Sequence, residues 1–345
     1  MLSLLDSPLT ALPCLAFALS VIAHAAALQI FPRLGLLDFP ERYGLTRASV
    51  PYPTGILLVL LFAIFFLVLQ PLNLENIALL CGIAVLAVCC MIDDRTPLPP
   101  ALRFTIQTLV ALIIVAGGIR IDSVTNPLPA LFGSASSLTL NAGWPLALSA
   151  VFTVLWLLFT INALNWFDGI PGQVSTLSTI AFFTIGCLAL SARVNQPTLG
   201  LLALILSGLS LGMLCFDQPP PRMLMGDTGA MFLGLMIGVL TIYSGGKVAT
   251  AFLVMGVPLV DLLLVIIRRI SRGQKPWKGN SVDQHLHHRL LRKGWSPRQV
   301  IALTAGIGAM FGITALFLST GGKMIAGTVL MILMMGLSWY SSPKG

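Results

Sequence analysis

The chain has 345 residues, of which 57% are hydrophobic and 9% charged, against roughly 25% charged residues in soluble domains. That composition excludes a soluble globular protein and predicts a polytopic membrane protein. The net charge of +8 reads as membrane topology and attraction to anionic headgroups or phosphorylated substrates, not as nucleic-acid binding.

A hydrocarbon core of about 30 Å takes roughly 20 helical residues to cross. Apolar stretches of that kind lie near 8–31, 54–70, 76–92, 103–119, 144–161, 174–192, 197–216, 228–244, 248–267, 299–320 and 324–341. They predict an all-α bundle of about eleven transmembrane helices, forming one membrane domain over 1–345. The first stretch lacks a basic n-region and is expected to be a retained helix. Six cysteines, at 14, 81, 89, 90, 187 and 215, fall inside these stretches without metal-ligand spacing and are read as reduced packing residues.

Lys and Arg favour the cytoplasmic side. One alternating set of loops plus the C-terminus carries sixteen of the twenty basic residues, and the other set carries only Arg120, Arg193, Lys247 and Lys323. The N-terminus is therefore expected outside and the C-terminus inside. This places the loops near 32–53, 93–103, 162–173, 217–228 and 268–298 together on the cytoplasmic face.

Each of those loops carries polar residues. The first has Asp38-Phe39-Pro40-Glu41-Arg42, then Arg47, Pro51, Pro53 and Gly55, a stiff connector whose arginines also suit a purely topogenic role. The second has the adjacent pair Asp93-Asp94, in a chain with only twelve carboxylates, followed by Arg103 and Gln107 on one face of the next helix. An acidic pair at a membrane boundary is costly. It can hold a divalent cation or, where one carboxylate keeps the other protonatable, act as a base toward a phosphate.

The third loop, Asn162-Ala-Leu-Asn165-Trp-Phe-Asp168-Gly169-Ile-Pro171-Gly172, puts Asn165 and Asp168 on one helical face. The same pattern also suits a glycine-terminated helix end. In the fourth, Met225-Gly226-Asp227-Thr228-Gly229 follows a run of prolines and opens a new span, so Asp227 is either a helix N-cap or a Mg²⁺ ligand beside a diphosphate. The fifth, Asp283-Gln284-His285-Leu286-His287-His288-Arg289, holds three of the four histidines. It suits phosphate or substrate contact better than zinc, because no further ligand stands at a standard spacing. Within the spans, Asp261 reads as a structural or pairing carboxylate and His24 as a packing histidine.

In this order and spacing the motifs resemble the polyprenyl-phosphate N-acetylhexosamine-1-phosphate transferases, over roughly residues 30–295. The residues that carry the resemblance are Asp38-x-Pro40, Asp93-Asp94 with Arg103 and Gln107, Asn162-x-x-Asn165-x-x-Asp168-Gly169, Met225-Gly226-Asp227-x-Gly229, Pro258-x-x-Asp261 with Arg268-Arg269, and His285-x-His287-His288. The resemblance implies transfer of N-acetylhexosamine-1-phosphate from a UDP-N-acetylhexosamine to a polyprenyl phosphate, with UMP released, at the cytoplasmic face of the plasma membrane. It implies Mg²⁺ or Mn²⁺ as cofactor, held by Asp227 and Asp168, and Asp93, Asp94 and Asp168 as catalytic carboxylates. Asn165, Arg103, His285, His287, His288 and Arg289 would bind substrate. The His-x-His-His form is similar to the N-acetylglucosamine-type members. The sequence does not fix the oligomeric state, with a homodimer one compatible assembly, and no nucleic-acid partner is expected.

The chain departs from the family pattern in having Pro171 where many relatives have an aspartate, and Arg42-Tyr43-Gly44 in place of an Arg-Lys-x-His pattern. An inactive relative and a secondary transporter are the competing readings. A transporter predicts carboxylates near the bilayer midplane, whereas these cluster at one face.

Overall fold

The computed structural model describes residues 8–43, 46–125, 137–140, 143–243, 248–275 and 284–342. Asp283 of the histidine loop, and Lys247, Lys278 and Lys344 of the charge pattern, lie outside the described residues. The elements in chain order are α1 (Pro8–Arg33), α2 (Ile56–Leu69), α3 (Leu74–Arg95), α4 (Pro100–Ala116), β1 (Ser123–Thr125), β2 (Ser137–Thr139), α5 (Trp144–Phe167), α6 (Gln173–Leu190), α7 (Pro197–Asp217), α8 (Gly226–Tyr243), α9 (Val248–Val254), α10 (Gly256–Ser271), α11 (Leu286–Arg292), α12 (Pro297–Phe317) and α13 (Thr320–Tyr340). The fold is a polytopic helical bundle. Its strands, among the described residues, are the three-residue antiparallel pair β1–β2.

Among the described residues, eight helices are long and apolar enough to cross a membrane. The shorter α2 and α4 and the bent pair α9–α10 account for the rest of the eleven apolar stretches. The stretch expected as one span over 248–267 is instead broken around Met255, with its halves bent by 88°. α10 keeps Val260, Asp261, Val265 and Arg269 buried and leaves Ile267 and Ile270 exposed.

Prolines begin α4, α7 and α12, where the missing N–H is not needed by the helix. Asn73 caps α3 by accepting from the Asn76 N–H at 2.9 Å. α8 is the hub: 89% of its apolar stretch is buried, against 17% for α13. It packs on α5 and α3, while α7 lies between α1 and α6, and α12 covers α6.

The N-terminal end of α8 is where the loops meet. Thr54 N–H donates to Leu224 O at 2.9 Å, Gly55 N–H to Met225 O at 2.9 Å, and Leu224 N–H to Pro51 O at 3.0 Å. This zips the segment before α2 onto the segment before α8. The approach needs glycine on both sides, because a Cβ on Gly55 would fall 2.3 Å from the Gly229 nitrogen. All five predicted polar loops converge at this end of the bundle.

Candidate active site

Asp94, in the last turn of α3, accepts four hydrogen bonds: from Tyr52 Oη at 2.6 Å, the Asp227 N–H at 2.9 Å, the Thr228 N–H at 3.1 Å and Thr228 Oγ1 at 2.7 Å. The first amides of a helix have no partner within it, so Asp94 caps α8 from another helix. Gly226, at φ +77°, supplies the left-handed turn that opens α8. The capping role that sequence left open for Asp227 thus falls to Asp94, and the Asp227 carboxylate faces Arg103 instead.

Asp93 points the other way. Its Oδ1 accepts the Leu98 N–H at 2.6 Å, which fixes the turn into α4, and its Oδ2 accepts Arg103 Nη1 at 2.6 Å. The same Nη1 reaches Asp227 Oδ2 at 3.1 Å. One guanidinium therefore bridges carboxylates from α3 and α8. Beside it, Asn162 Nδ2 donates to Gln107 Oε1 at 2.7 Å, tying α5 to α4.

Asp168 ends α5 and lines a cavity of about 370 Å³ together with Asp38, Asp94, Asp217 and Asp227. Arg47, the one basic residue on the same wall among the described residues, is paired with Asp38 at 2.5 Å. Burial, and then the neighbouring Asp227, Asp217 and Asp94 carboxylates, push the Asp168 carboxyl well above its ordinary range. Asn165 lies buried one turn earlier on α5. A larger groove of about 580 Å³ between α2 and α3 is lined almost wholly by apolar residues and ends at Arg95 and Thr96, without a carboxylate or histidine.

The histidine loop meets this cavity through Gly169. A Cβ there would fall 2.0 Å from His287 Nε2, so only glycine lets the ring approach. His287 stacks on His285 with centroids 5.7 Å apart, and the tilted His288 ring has its centroid 4.2 Å from that of His287. Neither ring nitrogen of His287 has a hydrogen-bond partner. Burial, then His288, His285 and Arg289, hold its pKa well below the ordinary histidine value, so it is neutral at pH 7.

Asp261 on α10 holds this loop in place. Its Oδ2 lies 2.9 Å from His285 Nδ1 and its Oδ1 accepts the Leu286 N–H at 3.0 Å, which caps α11 and leaves His285 Nε2 buried without a partner among the described residues. Arg289 is buried, and its Nη1 donates to Ser338 O at 3.0 Å. Burial and the nearby Arg268 bring its pKa down to about 10, with Asp261 acting in the opposite sense. Arg269 lies over the Trp166 ring at 4.8 Å, linking α10 to the end of α5.

Sequence reasoning missed Asp217, Tyr52 and Thr228. Asp217 carried a usable signal, since it is a carboxylate at the end of an apolar run, as Asp93 is. Tyr52 and Thr228 carried none, because ordinary loop and helix-start residues acquire their role only from the approach of α3.

Conserving charge balance at such a site requires cations, and a cavity walled by carboxylates beside a bridging arginine suits transfer of an anionic group. The fold and site suit a membrane-embedded transferase of anionic groups. A family model, Glycosyl transferase family 4, matches residues 76–245. The chain is 32% identical over 265 residues to the Bacillus subtilis (strain 168) protein named "Probable undecaprenyl-phosphate N-acetylglucosaminyl 1-phosphate transferase", covering 74% of this chain and 69% of that one. It is 29% identical to the Mycobacterium leprae decaprenyl-phosphate N-acetylglucosaminephosphotransferase, covering 70% and 65%. To the Escherichia coli (strain K12) undecaprenyl-phosphate alpha-N-acetylglucosaminyl 1-phosphate transferase it is 28% identical, covering 84% and 79%. The chain belongs to glycosyl transferase family 4, among its polyprenyl-phosphate N-acetylglucosamine-1-phosphate transferases.

Proposed function

We propose that this enzyme transfers N-acetylglucosamine-1-phosphate from a UDP-sugar to a polyprenyl phosphate of the undecaprenyl type, at the cytoplasmic face of the plasma membrane. A phosphate oxygen of the lipid bonds to the β-phosphorus of the donor. The bond from that phosphorus to the bridging oxygen breaks, and its electron pair leaves with UMP. The observation that carries the reading is the Arg103 bridge between Asp93 and Asp227 at the edge of the acidic cavity. It brings one cation and two carboxylates to the place where two anionic reactants must meet.

The donor set fits a divalent cation. Among the described residues no three carboxylate, imidazole or thiol groups stand close enough to ligate one ion. Mg²⁺ is commonly held by one or two carboxylates, with phosphate oxygens and water completing its shell. Asp227 and Asp168 would hold it, and the ion would offset the charge of the diphosphate and of the transition state. Asp93, held in place by Arg103, takes the proton of a monoanionic lipid phosphate as the oxygen attacks. Asp94 keeps α8 and its amides in position. Asn165, His285, His287 and His288 receive the sugar-phosphate half of the donor, with Arg289 bracing α11 beneath them.

Purified protein in detergent, supplied with undecaprenyl phosphate, Mg²⁺ and a panel of UDP-N-acetylhexosamines, is expected to release UMP with UDP-N-acetylglucosamine, dependent on both lipid and metal. UMP release from no donor by folded protein overturns the reading.

A further inference from the structure

Asp217 closes α7 and is only 3% exposed. Ser175, in the first turn of α6, donates to its Oδ2 at 2.6 Å. The amides of Gly172 and of Asp217 itself lie near the carboxyl, yet Oδ1 is buried without a hydrogen-bond partner. Asp217 lines the acidic cavity beside Asp168, Pro171 and Gly172. Buried polar atoms are almost always partnered, so an orphaned carboxylate oxygen in a cavity wall marks a place for a donor group of a ligand.

The chemistry of that ligand is constrained. No salt bridge reaches Asp217 among the described residues, and it stands in no metal-binding group of three. A carboxylate repels phosphate, so the diphosphate belongs at the Arg103 and Asp227 end. Asp217 then faces an uncharged part of the donor. Pro171, on the same wall, has no polar side chain with which to recognise it. We infer that Asp217 Oδ1 accepts a hydrogen bond from an N–H of the nucleotide sugar, making it a specificity-determining residue of the site. The N–H comes from the uracil imide or from the acetamido group. This inference rests on the transfer reaction proposed above.

Asp217→Asn can keep the Ser175 bond through its carbonyl oxygen while presenting an NH₂ donor where the acceptor stood. A site that loses its partner for a substrate N–H discriminates strongly. In full-length enzyme, the variant is expected to raise KM for UDP-N-acetylglucosamine about tenfold or more, with kcat altered less than about twofold, as loss of uniform binding requires. Asp217→Glu is expected to recover part of the loss, which a merely structural residue would not show. UMP binding weakened in parallel assigns the N–H to the uracil, and UMP binding unaltered while UDP-N-acetylglucosamine weakens assigns it to the acetamido group.

Unchanged KM and binding for both, or a fall in kcat alone, overturns the inference and leaves the transfer reaction standing. A wild-type enzyme that makes no UMP removes the transfer reading itself. Should Asp217→Asn fail to fold, wild-type protein is offered UMP against N3-methyl-UMP, and UDP-N-acetylglucosamine against its N-methylacetamido analogue. Discrimination of about tenfold in one pair supports the role, and equal binding in both pairs overturns it.

Discussion

At the residue scale, two neighbouring carboxylates do different work. Asp94 has its acceptors filled by Tyr52 and by the start of α8, whereas Asp227, which Asp94 releases from capping, faces Arg103. Asp94→Ala leaves two helix-start amides without that acceptor. It is expected to cost about 1–2 kcal/mol of stability, read as a lower unfolding midpoint in detergent, together with lost turnover. Asp227→Asn is expected to leave the midpoint in place and lower kcat by about a hundredfold or more, the scale of removing one charge-stabilising group. Equal stability losses in the two variants would contradict the division of roles. The adjacent pair was plain in the sequence because carboxylates are scarce in this chain. The capping role of Asp94 was not, because its donors on α8 lie 133 and 134 residues away in sequence.

Asp168 adds a pH dependence. Its pKa is raised in the fold, so the folded protein binds this proton more tightly than the unfolded chain does. The stability tied to that proton is present below the ordinary Asp range and is lost as pH rises through the raised value. The proposed ligation of Mg²⁺ by Asp168 needs the ionised form, so metal affinity is expected to rise over the same window. His287 acts oppositely: its lowered pKa means that stability is lost as pH falls through the ordinary histidine range. The contribution of Asp168 is therefore isolated as the difference between wild type and Asp168→Asn in unfolding scans from pH 5 to 8, with and without Mg²⁺. A metal-induced shift that does not grow with pH would remove Asp168 from the metal site.

At the scale of elements, α11 is a seven-residue helix too short to stand alone. Asp261 caps it and orients His285, Ser338 anchors Arg289, and Gly169 admits His287. Gly169→Ala places a methyl group against the buried His287 ring. Overpacking of this kind costs about 1–3 kcal/mol, and UMP formation is expected to fall even where the protein still folds. Wild-type kinetics for this variant would show that His287 need not sit against the cavity. The break at Met255 belongs to this scale too. The apolar stretch over 248–267 is long enough for one span, so hydropathy alone joins its halves. The 88° bend carries α10 away from α9 and brings Asp261 and Arg269 beneath the histidines and Trp166.

Across the whole molecule, five loops spread along the chain meet at one end of a bundle centred on α8. The side of the membrane they face follows from the positive-inside asymmetry and is open to a direct test. In sealed spheroplasts, a protease site inserted within 126–136 is expected to be cut from outside, and one inserted within 276–283 only after the membrane is opened. The reverse pattern would invert the bundle and move the site to the outer face.

The features legible along the chain follow from short-range physics. Hydropathy marks the spans because lipid demands satisfied backbone over about 20 residues, and the scarcity of charge makes Asp93, Asp94, Asp168 and Asp227 stand out. Packing in three dimensions selects which carboxylate caps a helix, which two Arg103 bridges, and which keeps a buried oxygen without a partner. It also decided that His287 is held neutral and that Asp217 joins the site. Hydrogen bonds, burial and charge coupling depend on atoms brought within a few ångströms by packing, and no local pattern along the chain encodes those approaches.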